Sequence, residues 1–183
     1  NGHSDVVGGA VVARTPELAE EASWWANSLG LTGSAMDAYL TLRGLRTLEL
    51  RMHRHQENAQ AIADAVAGHP GLAALHYPGL ADHPDHELCR RQQAGPGAML
   101  ALEVIGGASG VRAFLAGLGC FSLAESLGGV ESLVAHPASM THAAMPPEVQ
   151  RAAGLTPGLL RLSVGVEDAA DLIADVRTGL DRA

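Results

Sequence analysis

The sequence predicts an α/β fold in which short strands and helices alternate along most of the chain. After Gly68, short apolar runs typical of buried strands alternate with longer segments whose apolar residues recur at helical spacing. Hydrophobic residues make up 47% of the 183 residues and charged residues only 17%. That composition provides enough apolar side chains for a core and has too few charges for a disordered chain.

The first third of the chain predicts one strand and two helices. Val6–Ala13 is rich in β-branched residues, which indicates a strand. Thr15 and Pro16 have the character of an N-cap and a first helical residue, and this helix is expected to end before Gly30. A helical pattern then runs from Ala35 to about residue 67 without interruption.

So long a helix is typical of a connection between two domains, and it places the predicted domain boundary near residue 55. Residues 1–55 contain a single predicted strand and cannot close a core alone. We therefore expect them to be the end of a larger domain whose beginning lies upstream. Residues 56–183 are expected to form a separate α/β domain, which is a normal domain size.

Residues 56–183 predict five strands and four further helices. The strands are expected at Leu72–His76, Ala98–Val104, Cys120–Leu123, Glu131–Ala135 and Leu159–Val164. The helices are expected at Asp85–Gln93, Gly107–Leu118, Pro147–Ala153 and Asp168–Asp181.

Charge and composition exclude several classes of function. The net charge is −8 and the basic residues are scattered, which argues against a nucleic-acid partner. No run approaches the roughly 20 apolar residues that a membrane span requires. Two cysteines, Cys89 and Cys120, favour a reducing cytoplasm over a disulfide-stabilised exterior. All 12 basic residues are Arg, so the chain contains no Lys.

The nine histidines do not predict a metal site. His53 and His55 are two residues apart on a predicted helix and therefore face different directions. His83 and His86 have suitable spacing in a loop, but no third and fourth ligands accompany them. A nucleophile elbow and a glycine-rich phosphate loop are both missing from the sequence.

Two segments suggest ligand binding. Gly128 and Gly129 follow a predicted strand, where backbone N–H groups can approach a ligand. Arg161 lies in an otherwise apolar strand, so its guanidinium must either pair with an acid or bind an anion. A carboxylate bound at two points suits a guanidinium, but a buried Arg–Glu pair is equally compatible with the residues themselves. Taken alone, Glu125 and Glu131 are interpreted as ordinary carboxylates at the edge of such a site.

Four long segments of the chain are distinctive, in the order GHSDVVGG, WWANSLGLTGSAMDAYLTLRGLRTLELRM, AESLGGVESLVAHPASMTHA and LLRLSVGVED. Together they resemble the pyridoxal-phosphate (PLP) enzymes of Cys/Met metabolism, and in particular the C-terminal half of the cystathionine γ-synthases. The resemblance implies a fold-type I PLP-dependent transferase. Residues 1–55 would then be the end of the PLP-binding domain, and 56–183 the smaller C-terminal domain.

The resemblance also implies which residues bind the substrate. Arg161 matches the family's clamp for the substrate α-carboxylate, Ser126 and Leu127 match neighbouring positions, and Glu125 matches a Glu that favours chemistry at the γ-carbon. The family's Schiff-base lysine is expected just upstream of Asn1. No catalytic residue, PLP ligand or metal ligand is therefore assigned within the chain.

The implied reaction is a γ-replacement that joins L-cysteine to an O-acylhomoserine, as in methionine biosynthesis by transsulfuration. The alternatives left open are a cystathionine γ-lyase, an O-acylhomoserine sulfhydrylase and a non-catalytic folded fragment. Because it has no Lys, the chain alone is expected to be inactive. The family assembles as homotetramers, so a homo-oligomer is the expected assembly.

Overall fold

The computed structural model describes all 183 residues. It contains seven helices and five strands, which confirms the α/β class. In chain order the helices are α1 Pro16–Leu29, α2 Ala35–Leu45, α3 Leu48–Val66, α4 His86–Gln92, α5 Gly107–Ala116, α6 Pro147–Ala152 and α7 Ala169–Leu180. The strands are β1 Leu72–His76, β2 Met99–Val104, β3 Ser122–Leu123, β4 Leu133–Ala135 and β5 Leu159–Ser163.

The chain divides into two compact units, Asn1–Glu49 and Leu50–Ala183, and the division falls at the start of α3. No helix combines the length and the apolar character needed to cross a bilayer. Cys89 and Cys120 are both free thiols.

The first unit contains helices but no strand. The predicted α1 is confirmed: Thr15 caps it through a bond from the Leu18 N–H, and Gly30 ends it with a φ of 70°, a conformation that glycine adopts without strain. The expectation of a strand at Val6–Ala13 is wrong, because this segment has no hydrogen-bonded neighbour. A strand requires a partner, and the unit provides none.

The expectation of one long helix over residues 35–67 is also wrong, because this segment forms two helices, α2 and α3. Gly44, a weak helix former, lies near the end of α2. The Arg46 and Thr47 N–H groups return to Arg43 and Gly44 carbonyls three residues back, which tightens and ends the helix. The periodic apolar pattern continues across this break and therefore did not reveal it.

The second unit is built on a mixed five-stranded sheet in the order β1-β2-β5-β4-β3. The pairs β1–β2, β2–β5 and β5–β4 are antiparallel, whereas β4–β3 is parallel. All five strands occur where the sequence predicts them. The main differences are that β3 and β4 each begin two residues later than expected.

One face of the sheet forms the core of the second unit. Strand residues whose side chains alternate toward this face, such as Leu100, Leu102, Leu160 and Leu162, are almost fully buried. Residues of α3, α5 and α7 belong to the same apolar cluster, among them Ile62, Phe114 and Leu172. The opposite face, which carries Arg161, is therefore left for other contacts.

Tyr77, directly after β1, is fully buried and its hydroxyl donates a 2.9 Å hydrogen bond to the Gly97 carbonyl. Burial raises the pKa of Tyr77 far above its ordinary value, and Cys89 and Asp64 add to the effect. The folded protein therefore keeps this proton at a pH where the unfolded chain, with a phenol pKa of about 10, has lost it.

We expect the contribution of Tyr77 to the free energy of unfolding to be constant below about pH 10. The free energy of unfolding should fall as the pH rises above that value. Because the chain has no Lys, few other groups titrate in this range. Tyr77→Phe should cost about 1 kcal/mol at pH 8 through the lost hydrogen bond, yet weaken the alkaline fall. Urea unfolding at pH 8 to 11.5 measures the loss at pH 8 and the steepness of the alkaline fall. Tyr39→Phe is the control, because Tyr39 is exposed. An equally steep fall in Tyr77→Phe would contradict this account.

Candidate functional site

The candidate site lies around β5, on the face of the sheet opposite helices α3, α5 and α7. Along this strand Leu160 and Leu162 point into the core, so Arg161 and Ser163 point to the other face. β5 has neighbours on both sides, β2 and β4, and is thus a rigid platform for these two side chains.

Arg161 has small neighbours on both adjacent strands. Ala101 of β2 and Ala135 of β4 lie directly opposite it in the register. Directly opposed residues have their Cβ atoms only about 5 Å apart, so larger side chains there would compete with the guanidinium for space. β4 lies between β5 and β3, and Glu125 follows β3, so Arg161 extends across β4 at Ala135 to reach it.

Only part of the Arg161 guanidinium is used within the protein. Its Nη2 donates to the backbone carbonyls of Glu125, at 2.6 Å, and of Ser126, at 3.0 Å. Its Nε is buried and has no hydrogen-bond partner. A buried unpartnered donor on a cation is costly, so a buried acceptor, ideally an anion, is expected to complete it.

The segment Glu125–Ser132, called the 125–132 loop below, is fastened to β5 and to the residues that follow it. The Gly128 N–H donates to Ser163 Oγ at 2.9 Å, and the Val166 N–H donates to the Val130 carbonyl at 2.9 Å. At the end of the loop, Ser132 donates from its N–H and its Oγ to the Glu167 carboxylate, at 2.7 and 2.9 Å.

Helix α3 supports this region from the core side through two buried polar residues. His55 Nδ1 lies 2.6 Å from the Val164 carbonyl. Asn58 Nδ2 donates to the carbonyls of Gly165 and Glu167, at 3.0 and 2.9 Å. The chain directly after β5 is therefore held by the loop on one side and by α3 on the other.

A further buried carboxylate fixes the approach to β3. Asp175 of α7 is 8% exposed and accepts three backbone hydrogen bonds. Its two oxygens accept the N–H groups of Gly119 at 2.6 Å, Cys120 at 3.0 Å and Phe121 at 2.9 Å. Burial raises the pKa of the Cys120 thiol, as do the nearby carboxylates, Asp175 first among them.

The structure brings together three of the four residues that the sequence singled out. Arg161 contacts the backbone of Glu125 and Ser126, whose side chains are exposed, and Leu127 follows with its side chain 55% exposed. Thr141 and His142 are exposed, and Thr141 Oγ1 lies 2.8 Å from His142 Nδ1. No three His, Cys, Asp or Glu side chains converge as a metal site.

Sequence reasoning missed Ser163 and Asp175, although a signal for each was available. Ser163 is two residues after Arg161 in a strand and must share its face. Asp175 lies between Leu172 and Val176 on the apolar side of α7, where a charge requires partners. The partners themselves, backbone N–H groups of distant loops, are not visible in the sequence.

Comparison with known proteins establishes the class. The family model described as "Cys/Met metabolism PLP-dependent enzyme" matches residues 1–181, and the chain belongs to this family. The cofactor of the family is PLP, and the mixed α/β structure is consistent with fold-type I.

Individual relatives show which members of the family the chain is similar to. The chain is 53% identical over 183 residues to the cystathionine γ-synthase of Escherichia coli (strain K12), covering 100% of this chain and 47% of that protein. It is 48% identical over 180 residues to the cystathionine γ-lyase of Bacillus subtilis (strain 168), covering 98% of this chain and 47% of that protein.

A solved structure of a cystathionine γ-synthase is similar to the chain as well. The cystathionine γ-synthase of Xanthomonas oryzae pv. oryzae, in complex with aminoacrylate and cysteine, superposes with a TM-score of 0.94 at 63% identity. The match covers 99% of this chain and 47% of that one. The chain thus spans about half the length of the relatives it matches.

The residues present fit the substrate-binding part of a PLP site but not the part to which PLP is covalently attached. The partly unpartnered Arg161 suits the carboxylate of an amino-acid substrate. Covalent attachment of PLP requires a lysine ε-amine, and none of the 183 residues is Lys. The chain alone therefore does not fit the covalent part of the cofactor site.

Proposed function

We propose that the chain is the substrate-carboxylate-binding part of a PLP-dependent cystathionine γ-synthase. The reaction is the γ-replacement that joins L-cysteine to an O-acylhomoserine, within transsulfuration and methionine biosynthesis. The observation that carries this proposal is the geometry of Arg161: Nη2 is anchored on two loop carbonyls while Nε is buried without a partner. The 53% and 63% identical relatives are both cystathionine γ-synthases, which supports the choice of reaction.

In this function Arg161 binds and orients the amino-acid substrate. The Glu125 and Ser126 carbonyls fix the rotation of the guanidinium, so its Nε–H is presented to a carboxylate in one defined direction. Ser126 and Leu127 line the approach from the 125–132 loop. When bound, PLP supplies an electron sink for the charge that develops on the substrate carbon.

A cystathionine γ-lyase is the second candidate. The relative of that name from Bacillus subtilis is 48% identical to this chain, and the cystathionine γ-synthase of Mycobacterium bovis is also 48% identical. Glu125 is assigned to the distal amine of the substrate in either case, where its exposed carboxylate can pair with an ammonium group. An O-acylhomoserine sulfhydrylase would use the same ester with sulfide in place of cysteine.

The chain by itself is proposed to be inactive, with the lysine supplied by another part of the intact enzyme. The first unit exposes apolar residues of the kind that another part of the enzyme would cover. Helix α1 buries none of its residues, and Trp24 and Trp25 are 59% and 49% exposed. Exposed apolar area of this kind is typical of a surface that another polypeptide segment covers.

We propose the corresponding assembly and location on the same basis. Residues 1–55 belong to the end of the PLP-binding domain and 56–183 to the C-terminal domain. The intact enzyme is a homo-oligomer, as the tetramers of the family are, and acts in the cytoplasm, where the two free thiols stay reduced.

A chimera tests the proposed reaction. The matching 47% of the E. coli cystathionine γ-synthase is replaced by this chain, and the product is supplied with PLP. With L-cysteine and O-succinyl- or O-acetyl-L-homoserine, we expect cystathionine as the product by mass spectrometry. The chain without its complement is expected to give none, and the unmodified E. coli enzyme is the positive control.

The same chimera separates the alternatives. Release of 2-oxobutanoate and cysteine from cystathionine, without any synthesis of cystathionine, would favour the lyase. Homocysteine formed from the ester and sulfide, at a rate that exceeds the reaction with cysteine, would favour the sulfhydrylase. A correctly folded, PLP-loaded chimera with none of these activities would contradict the proposal.

A further inference from the structure

We propose that Ser163 is a positioning residue, which fixes the 125–132 loop and thereby the orientation of the Arg161 guanidinium toward a carboxylate. The inference rests on the proposed role of Arg161 as the carboxylate clamp. It adds a second residue of β5 on which the affinity of that clamp depends.

The first step is the contact between Ser163 and the loop. Ser163 is 2% exposed and shares a sheet face with Arg161, two residues earlier. Its Oγ accepts a 2.9 Å hydrogen bond from the Gly128 N–H. Gly128 has a φ of 74°, in the region that favours glycine, so the turn that presents this N–H to β5 is built into the loop.

The second step links this contact to Arg161. Nη2 of Arg161 is bonded to the carbonyls of Glu125 and Ser126, so the plane of the guanidinium follows the position of those two carbonyls. Ser126 is two residues from Gly128. Loss of the Gly128 anchor would let the carbonyls move, and a directed hydrogen bond from Nε to a carboxylate requires a fixed guanidinium plane.

The third step is that the effect should stay local. The far end of the loop is held independently, at Val130 by the Val166 N–H and at Ser132 by Glu167. Removal of the Ser163 hydroxyl should therefore loosen residues 125–128 without detaching the whole loop. The expected consequence is weaker carboxylate binding by a protein that remains folded.

The test uses the 183-residue chain and acetate as the probe, with acetamide as its uncharged isostere. Nuclear magnetic resonance follows the Arg161 Nε–H, assigned by its loss in Arg161→Lys, and hydrogen exchange follows the Gly128 N–H. We expect the wild-type Nε–H signal to shift with acetate and not with acetamide. In Ser163→Ala the acetate affinity should fall about fivefold, and Gly128 exchange should accelerate by a similar factor.

Two further variants make the result specific. Ser163→Thr keeps the acceptor oxygen and should retain acetate affinity within about twofold. Ser122→Ala, an exposed serine of β3, should leave both signals unchanged. Since the resonances report on folded molecules, a change in stability alone would not alter the acetate affinity.

Each remaining outcome has a distinct meaning. Equal acetate affinity in wild-type and Ser163→Ala would overturn the positioning role and leave the function of Arg161 intact. A wild-type Arg161 signal that does not respond to acetate would overturn the proposed carboxylate site and this inference with it. If Ser163→Ala fails to fold, an unprotected Gly128 N–H in the wild type would still refute the contact.

Discussion

Arg161→Lys in the chimera is expected to raise the KM for the homoserine ester by about 10- to 100-fold. An ammonium group offers a point charge and cannot reproduce the fixed direction of a guanidinium N–H bond to a carboxylate. A lysine would also lose the planar group that Nη2 anchors to the Glu125 and Ser126 carbonyls. Steady-state kinetics over a range of ester concentrations measures the change.

The matched control is Arg151→Lys on α6, an exposed arginine that shares the same substitution chemistry. Its KM should equal that of the parent chimera. An unchanged KM in Arg161→Lys would show that the substrate carboxylate is bound elsewhere.

Asp175→Asn is expected to lower the free energy of unfolding by about 3 kcal/mol. The carboxylate is almost fully buried and accepts the N–H groups of Gly119, Cys120 and Phe121. An amide offers one acceptor oxygen and places an NH₂ group against one or more of these donors, which leaves buried N–H groups unpaired. Urea unfolding monitored by circular dichroism measures the difference.

Asp171→Asn is the control for this second substitution, because Asp171 lies on the same helix and is exposed. It removes only a favourable charge near the helix N-terminus, worth about 0.5 kcal/mol. Equal losses in the two variants would contradict the assignment of the Asp175 carboxylate as a buried backbone acceptor.

The sequence was sufficient for the strands of the second unit and for helices α1 and α7. Alternating burial in β2 and β5 and the apolar side of α7 follow directly from periodicity, and the cap at Thr15 and stop at Gly30 follow from local chemistry. The strand expected at Val6–Ala13 failed for a different reason. Propensity favours an extended backbone there, but strand formation depends on a neighbour that residues 1–49 do not contain.

The candidate site was predictable in its residues and not in its arrangement. An arginine in an apolar strand indicates a partner, and spacing alone left an acid and an anion equally possible. The structure gives Arg161 two backbone carbonyls as partners and no acid, which spacing could not reveal because Glu125 is 36 positions away in the chain. The small residues Ala101 and Ala135, which leave space beside it, depend on the strand register.

The most direct test of the proposed site is a crystal structure of the PLP-loaded chimera with cystathionine. We predict that one carboxylate of the ligand accepts a hydrogen bond from Nε of Arg161, while Nη2 keeps its bonds to Glu125 and Ser126. A cystathionine molecule bound with both carboxylates away from Arg161, and an Nε that still lacks a partner, would contradict it.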